Sequence, residues 1–260
     1  MSATVPTLDI SGTSQVPLGR LVKVETRKAL DTRAGFWFAV SIVGLVLVVE
    51  IIFALAVDQR DRTFENHLGI AGAVLGYFLP ILIIMLVTSE ASQRNGLVTF
   101  TLEPRRPRVV LAKFLAGLVL AVVVMVLSAA MAVIAMLVGR GDDWSVDGNL
   151  IFNGFILSAF VAVLIGFAIA TLLMNTPAAI VGYFAYTLIL PTAVGILSAL
   201  SDWFEDLAPW IEFNTAQTPL FTGDYTPTGE EWAQIATSGF IWLVIPLALG
   251  IRRLLRIEFK

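Results

Sequence analysis

Apolar residues run through this chain in six long blocks, each longer than the apolar face of an ordinary soluble helix. A helix that crosses a hydrocarbon core of about 30 Å needs about 20 mostly apolar residues, because the chain rises about 1.5 Å per residue and every backbone amide must be satisfied internally. The blocks predict spanning helices over 36–57, 68–89, 114–138, 150–174, 178–200 and 232–251. The third is the clearest, with Ser128 as its one polar side chain, and the last is the weakest, because Gln234, Thr237 and Ser238 fall in its first turns. Pro80, Pro191 and Pro246 interrupt spans two, five and six, where neighbours must make good the lost backbone bond. Gly72 and Gly76 form a small-residue pair suited to close helix contact, a pattern that chance also supplies in a chain with twenty glycines.

A shorter pattern precedes the first span. Over 18–33, Leu18, Leu21, Val22 and Ala29 recur on one side at helical spacing and Arg20, Lys23 and Arg27 fall opposite, which predicts a helix lying along the membrane interface. Glu25 falls within the apolar side, a poor place for an unpaired carboxylate. Two readings follow: it sits near lipid headgroups, or it pairs with a basic group of this chain or of a partner.

Composition agrees with the pattern. Of 260 residues 57% are hydrophobic and 14% charged, too few charges to dress a soluble globule. The net charge of −3 hides a segregation of sign. Five Lys and Arg precede span one, five lie between spans two and three, and four follow span six, against three (Arg60, Arg62, Arg140) on the other side. The positive-inside rule puts both termini in the cytoplasm of a multi-pass protein of the cell membrane. The other side is acidic, with no Lys or Arg between Asp202 and Glu231. Residues 1–17 read as a disordered cytoplasmic tail, with no cleavable signal peptide, and 252–260 as a basic cytoplasmic end. The absence of cysteine removes thiolate chemistry, and the single His67 makes no metal site by itself. No metal is expected, and no nucleic-acid partner.

Between spans two and three, Glu90 and Arg94 lead to Gly96, Leu97, Phe100 and Leu102, and then to Pro104, Arg105, Arg106, Pro107 and Arg108. The prolines stop any helix there and display the arginines. Exposed Leu and Phe beside a basic turn suit docking of a soluble partner; the plainer alternative is that the arginines only set topology and touch anionic lipid. Within span one Glu50 is an intramembrane carboxylate, and such groups face protein or water. Tyr183 and Tyr186 put hydroxyls on span five. Over 202–213 acidic residues alternate with Trp203, Phe204, Leu207 and Trp210, which suits an interfacial belt or a cap over an exit route.

With Glu25 before span one, then Glu90, Gly96-Leu97, Thr101-Leu102, Pro104-x-Arg106 and Lys113 opening span three, the chain resembles the membrane subunit of type-2 ATP-binding-cassette (ABC) exporters. It departs from the common form at Leu97-Val98 and at the doubled Arg105-Arg106. The resemblance implies an all-α integral membrane fold: an N-terminal interfacial elbow helix over 18–35, a six-span domain over 36–251, a coupling helix over 90–102 and short outer helices before span six. It further implies a permease that pairs with an identical or homologous second subunit and with two cytoplasmic ATPases, which bind ATP and Mg while this chain binds no cofactor. The coupling residues would be Glu25, Glu90, Arg94, Gly96, Leu97, Phe100, Leu102, Pro104, Arg105 and Arg106. Glu50, Tyr183 and Tyr186 would mark a transport path or subunit interface, and Trp203, Phe204, Leu207 and Trp210 an outer gate. Consistently, the chain has no Gly-x-x-x-x-Gly-Lys-Ser/Thr loop, so the expectation is a transport subunit and not an enzyme. Cargo would be an amphipathic or apolar drug, antibiotic, lipid or peptide. The competing class is a secondary transporter or substrate-binding membrane module not coupled to an ATPase, which calls for more intramembrane ionisable groups than Glu50 alone. An intramembrane serine protease has little support without a Gly-x-Ser-x-Gly motif.

Overall fold

The computed structural model describes residues 16–92 and 105–256. Helix α1, Leu18–Asp31, precedes six helices long and apolar enough to cross a membrane: α2 (Arg33–Ala56), α3 (Phe64–Ser92), α4 (Arg106–Val138), α5 (Leu150–Leu173), α6 (Thr176–Leu200) and, after two short helices α7 (Asp202–Ile211) and α8 (Phe213–Ala216), α9 (Gly229–Leu255). No strand occurs among the described residues. Most spans begin one or two turns before the apolar blocks do. The reason is that a helix continues through polar residues once its backbone bonds are propagating. The largest difference is α4, which starts at Arg106: Pro107 occupies its first turn, where a missing N–H costs nothing, so it opens the helix and does not stop one.

Chain direction alternates from helix to helix, and hydrogen bonds fasten the two ends of the bundle. At the basic end, Arg106 Nη1 donates to Leu255 O at 3.0 Å, Arg108 Nη2 to Val16 O at 2.6 Å and Arg253 Nη1 to Leu172 O at 2.5 Å. Arg106 and Arg108 of this turn are therefore tied to backbone carbonyls near the two ends of the described chain, while Arg105 is exposed. At the acidic end Arg62 grips the end of α2 and the end of α4 together, through Val57 O at 2.9 Å and Gly139 O at 2.8 Å.

α3 is central, packing on α2, α4, α5 and α6. Its apolar window is 67% buried, against 22% for α2 and 17% each for α6 and α9. Those outer helices keep broad apolar faces, such as Val48, Ile52 and Leu55 on α2, for a surrounding apolar phase. A close backbone contact lies mid-span, where a side chain on Gly166 of α5 would collide with the Pro80 carbonyl of α3, 2.6 Å from where its Cβ would lie. Gly72 makes only ordinary contact with α5, and Gly76 faces open space.

The prolines reshape their helices in two ways. Pro80 has no N–H for the Gly76 carbonyl four residues back, and the Tyr183 hydroxyl of α6 takes that place, lying 3.0 Å from both Gly76 O and Tyr77 O. In α6 and α9, wide π-helical turns over Ala185–Ile189 and Phe240–Val244 lead up to Pro191 and Pro246. A ring without an N–H cannot bond four residues back, and an i to i+5 turn passes over it.

Candidate functional site

Three buried polar places stand out in this bundle, and the first is at its basic end. α1 and α2 meet in a corner at Thr32, whose side chain accepts from Gly35 N and so caps α2. Any side chain at position 35 would run into the Ala29 carbonyl, so the corner needs glycine. The corner lays α1 across α2, α3 and α4 with Arg20, Lys23 and Arg27 exposed and Glu25 buried. Glu25 pairs with two lysines: Lys113 Nζ, two turns into α4, at 2.6 Å, and Lys28 Nζ at 2.8 Å. Glu25 and Lys113 are both about 6% exposed, whereas Lys28 reaches solvent. Of the two sequence readings, pairing with a basic group of this chain is the one realised. Of the remaining coupling candidates, Arg105 and Arg106 border α4, while Arg94, Gly96, Leu97, Phe100, Leu102 and Pro104 lie outside the described residues, as does the side chain of Glu90.

The second place is between α2 and α3. Glu50 is fully buried, and its Oε2 makes a short hydrogen bond with Nδ1 of His67, also fully buried. Sequence reasoning placed His67 at a span edge and found Glu50 alone; the structure puts His67 one turn inside α3, facing Glu50, with the Phe53 ring edge-on to it. The second polar atom of each, Glu50 Oε1 and His67 Nε2, is buried without a hydrogen-bond partner. A carboxyl and an imidazole facing each other out of water offset one another's desolvation by hydrogen bonding, as these two do.

The third place is a cavity of about 570 Å³ among α3, α5, α6 and the segment after α7, within the range of roughly 300–1,000 Å³ that holds a drug-sized molecule. It runs along α3 from Glu65 to Pro80, roughly 22 Å at about 1.5 Å per residue. Its deep wall is apolar, with Ile70, Val161, Ala162 and Ile165, and its mouth is polar, with Glu65, Asn66, Asn214, Gln217 and Tyr225. Tyr183 and Tyr186 both line it, so the sequence picked out two of its residues, while Glu50 belongs to the separate pair with His67.

All five mouth residues escaped sequence reasoning because they lie in what read as polar outer loops, Glu65 and Asn66 before span two and Asn214, Gln217 and Tyr225 before span six. The last three are placed by caps and turns. Glu212 begins α8 and accepts from the backbone and side chains of Asn214 and Thr215, which stands Asn214 against Tyr186. Further on, Gly223 and Tyr225 both adopt left-handed backbone, at φ +69° and +58°. For a tyrosine that costs on the order of 1–2 kcal/mol. Two contacts hold it: Tyr225 Oη donates to Glu65 Oε1 at 2.9 Å, and Asn153 Nδ2 donates to Tyr225 O at 2.7 Å. The bond to Glu65, then burial and the negative charges of Glu65 and Asp147, hold the Tyr225 hydroxyl above its usual range of titration. The capping box of Thr228 and Glu231 then starts α9.

The four residues expected at an outer gate lie on α7, away from the cavity. α7 packs between the end of α6 and the start of α9, with Trp203 71% exposed and Phe204, Leu207 and Trp210 half-buried. The cavity lining includes none of the four. Among the described residues no group of three or more His, Asp or Glu side chains is placed to hold a metal ion. In comparisons with protein-family models and with curated proteins, the chain has no match.

Proposed function

We propose that the chain is the membrane permease subunit of a type-2 ABC exporter, moving an amphipathic or apolar molecule outward across the cell membrane while partner subunits hydrolyse ATP. In this reading both termini are cytoplasmic, α1 is the elbow helix, the 90–102 segment is the coupling helix, and a second permease subunit covers part of the apolar faces of the outer helices. The observation that carries it is the fixing of α1: a helix at the basic end, tied by buried Glu25 to Lys113 of α4, packs on α2, α3 and α4 together. Force applied at that helix by a soluble partner reaches α2 and α4 without slack. The cavity in the acidic half supplies a place for cargo.

The test is co-expression with a candidate partner ATPase, purification in nanodiscs, and comparison with a Leu97→Asp, Phe100→Asp double variant. The expected result is co-purification and ATP hydrolysis with the wild type and loss of both with the variant, its spans still inserted. A variant that binds the ATPase equally well overturns the coupling role.

One observation favours a second reading, a transporter driven by protons. The buried Glu50–His67 pair supplies the further intramembrane titratable group that such a protein calls for. Purified chain in liposomes, given a pH gradient and no nucleotide, decides between them: substrate flux coupled to proton flux supports the second reading, and flux only with ATP and the ATPase supports the first.

A further inference from the structure

Around the mouth of the cavity, three side-chain amides each donate to the protein and keep their oxygen unengaged. Asn66 Nδ2 donates to Asp61 O at 2.8 Å, Gln217 Nε2 to Phe213 O at 3.0 Å, and Asn214 Nδ2 to Glu212 Oε1 at 2.8 Å. Because carbonyl and carboxylate oxygens receive these bonds, the amide orientations are fixed by their partners. The three amide oxygens accept nothing among the described residues. Three lining hydroxyls also donate to the protein, Tyr183 to Gly76 O behind Pro80, Ser158 to Gly154 O and Tyr225 to Glu65, while the buried Tyr186 hydroxyl has no partner among the described residues.

Charge points the same way. Glu65 is the one ionisable carboxylate in the lining, and no Lys, Arg or His accompanies it there. Its two oxygens receive Tyr225 Oη and the Asp147 backbone N–H, neither of them a cation, and among the described residues it has no ion pair. A carboxylate has about four lone-pair sites, so capacity remains. An anion would face the Glu65 carboxylate with no cation in the lining to offset it, and a neutral molecule would leave that charge uncompensated. A cation with an apolar body satisfies the mouth and the deep wall together.

We propose that this cavity binds monovalent organic cations that carry a bulky apolar body, with Glu65 as the counter-charge and the amide oxygens of Asn66, Asn214 and Gln217 around it. The proposal builds on the permease reading by naming the chemistry of its cargo, but its test needs no ATPase and no nucleotide, so either can fail alone.

The probes are tetraphenylphosphonium and tetraphenylborate, which share one shape and differ in the sign of their charge. Radiolabelled probe is dialysed to equilibrium against the full chain in phosphatidylcholine nanodiscs, with empty nanodiscs as the background. The expected result is saturable phosphonium binding, displaced by unlabelled phosphonium, with borate showing only the lipid partition of the empty discs. Glu65→Gln is expected to weaken phosphonium binding roughly tenfold, the loss of about 1.4 kcal/mol of charge attraction. Tyr225→Phe, which removes a donor that competes for Glu65, is expected to tighten it a few-fold and serves as the second variant should Glu65→Gln fail to fold. Absence of saturable phosphonium binding, equal saturable binding of borate, or unchanged affinity in a folded Glu65→Gln protein overturns the proposal, as does Tyr225→Phe binding no tighter than wild type.

Discussion

Two buried carboxylates sit near opposite ends of this bundle and are neutralised differently. Glu25 meets two lysines, one buried and one reaching solvent, so each oxygen has a charged partner and the site has a route to water. Glu50 meets one histidine, and both members keep a second polar atom buried and unpartnered. The first arrangement behaves as a structural rivet: full compensation makes it expensive to break and gives it nothing left to offer. The second is held by a single hydrogen bond between the two groups, and its orphan atoms leave it open to a change of protonation or to a water molecule.

Substitutions test that difference. Lys113→Met is expected to have the largest effect, on the order of 3 kcal/mol of lost stability, because it strips the buried partner from Glu25. Thermal unfolding in nanodiscs measures it, and a Glu25→Leu, Lys113→Met double variant is expected to recover most of the loss, since removing both charges removes the desolvation cost with them. His67→Phe comes next, at about 2 kcal/mol, because it removes the hydrogen bond that Glu50 makes and leaves that carboxyl buried without its partner. If His67→Phe costs as much as Lys113→Met, the Glu50 site is a second rivet and the contrast fails. Tyr183→Phe is an uncharged reference: it uncovers carbonyls behind Pro80 and is expected to cost about 1 kcal/mol.

The smallest effect belongs to the acidic loops. Hydrogen bonds from the Ser145 hydroxyl and backbone to Asp143, and from Thr226 to Asp224, hold both carboxyls below their ordinary value of 3.8. A depressed carboxyl contributes stability above its unfolded value and loses it as pH falls through the folded one. The Ser145 and Thr226 amide resonances are therefore expected to titrate with midpoints below 3.8, with no global unfolding in that window.

What the sequence made legible follows from the range of each interaction. Six spans are readable because about twenty consecutive apolar residues carry the signal locally. Their starts are not, because Lys113 and His67 are polar residues that lie within helices and dilute the apolar window. The wheel exposed Glu25 as misplaced, since amphipathicity is a property of one helix. It could not name Lys113, because that depends on how α1 crosses α4. Glu50 without His67 is the same failure one hairpin earlier: the partner depends on the register of α3 against α2. The cavity was half legible. Tyr183 and Tyr186 stood out as hydroxyls in an apolar span, but the Asn214 to Tyr225 stretch reads as solvated loop, and only the Glu212 cap and two left-handed residues turn it inward. Proline was the better guide, since each of the three within the spans foretold a break in the backbone ladder that the fold then had to mend.

The contact of Gly166 on the backbone of Pro80 has a mechanical consequence. Two helices separated by side chains can slide, because the side chains change rotamer and yield. Here the main chains touch, with nothing between them to compress. The crossing therefore works as a fulcrum: α3 and α5 can tilt about it, and spreading their ends on one side of mid-span draws them together on the other.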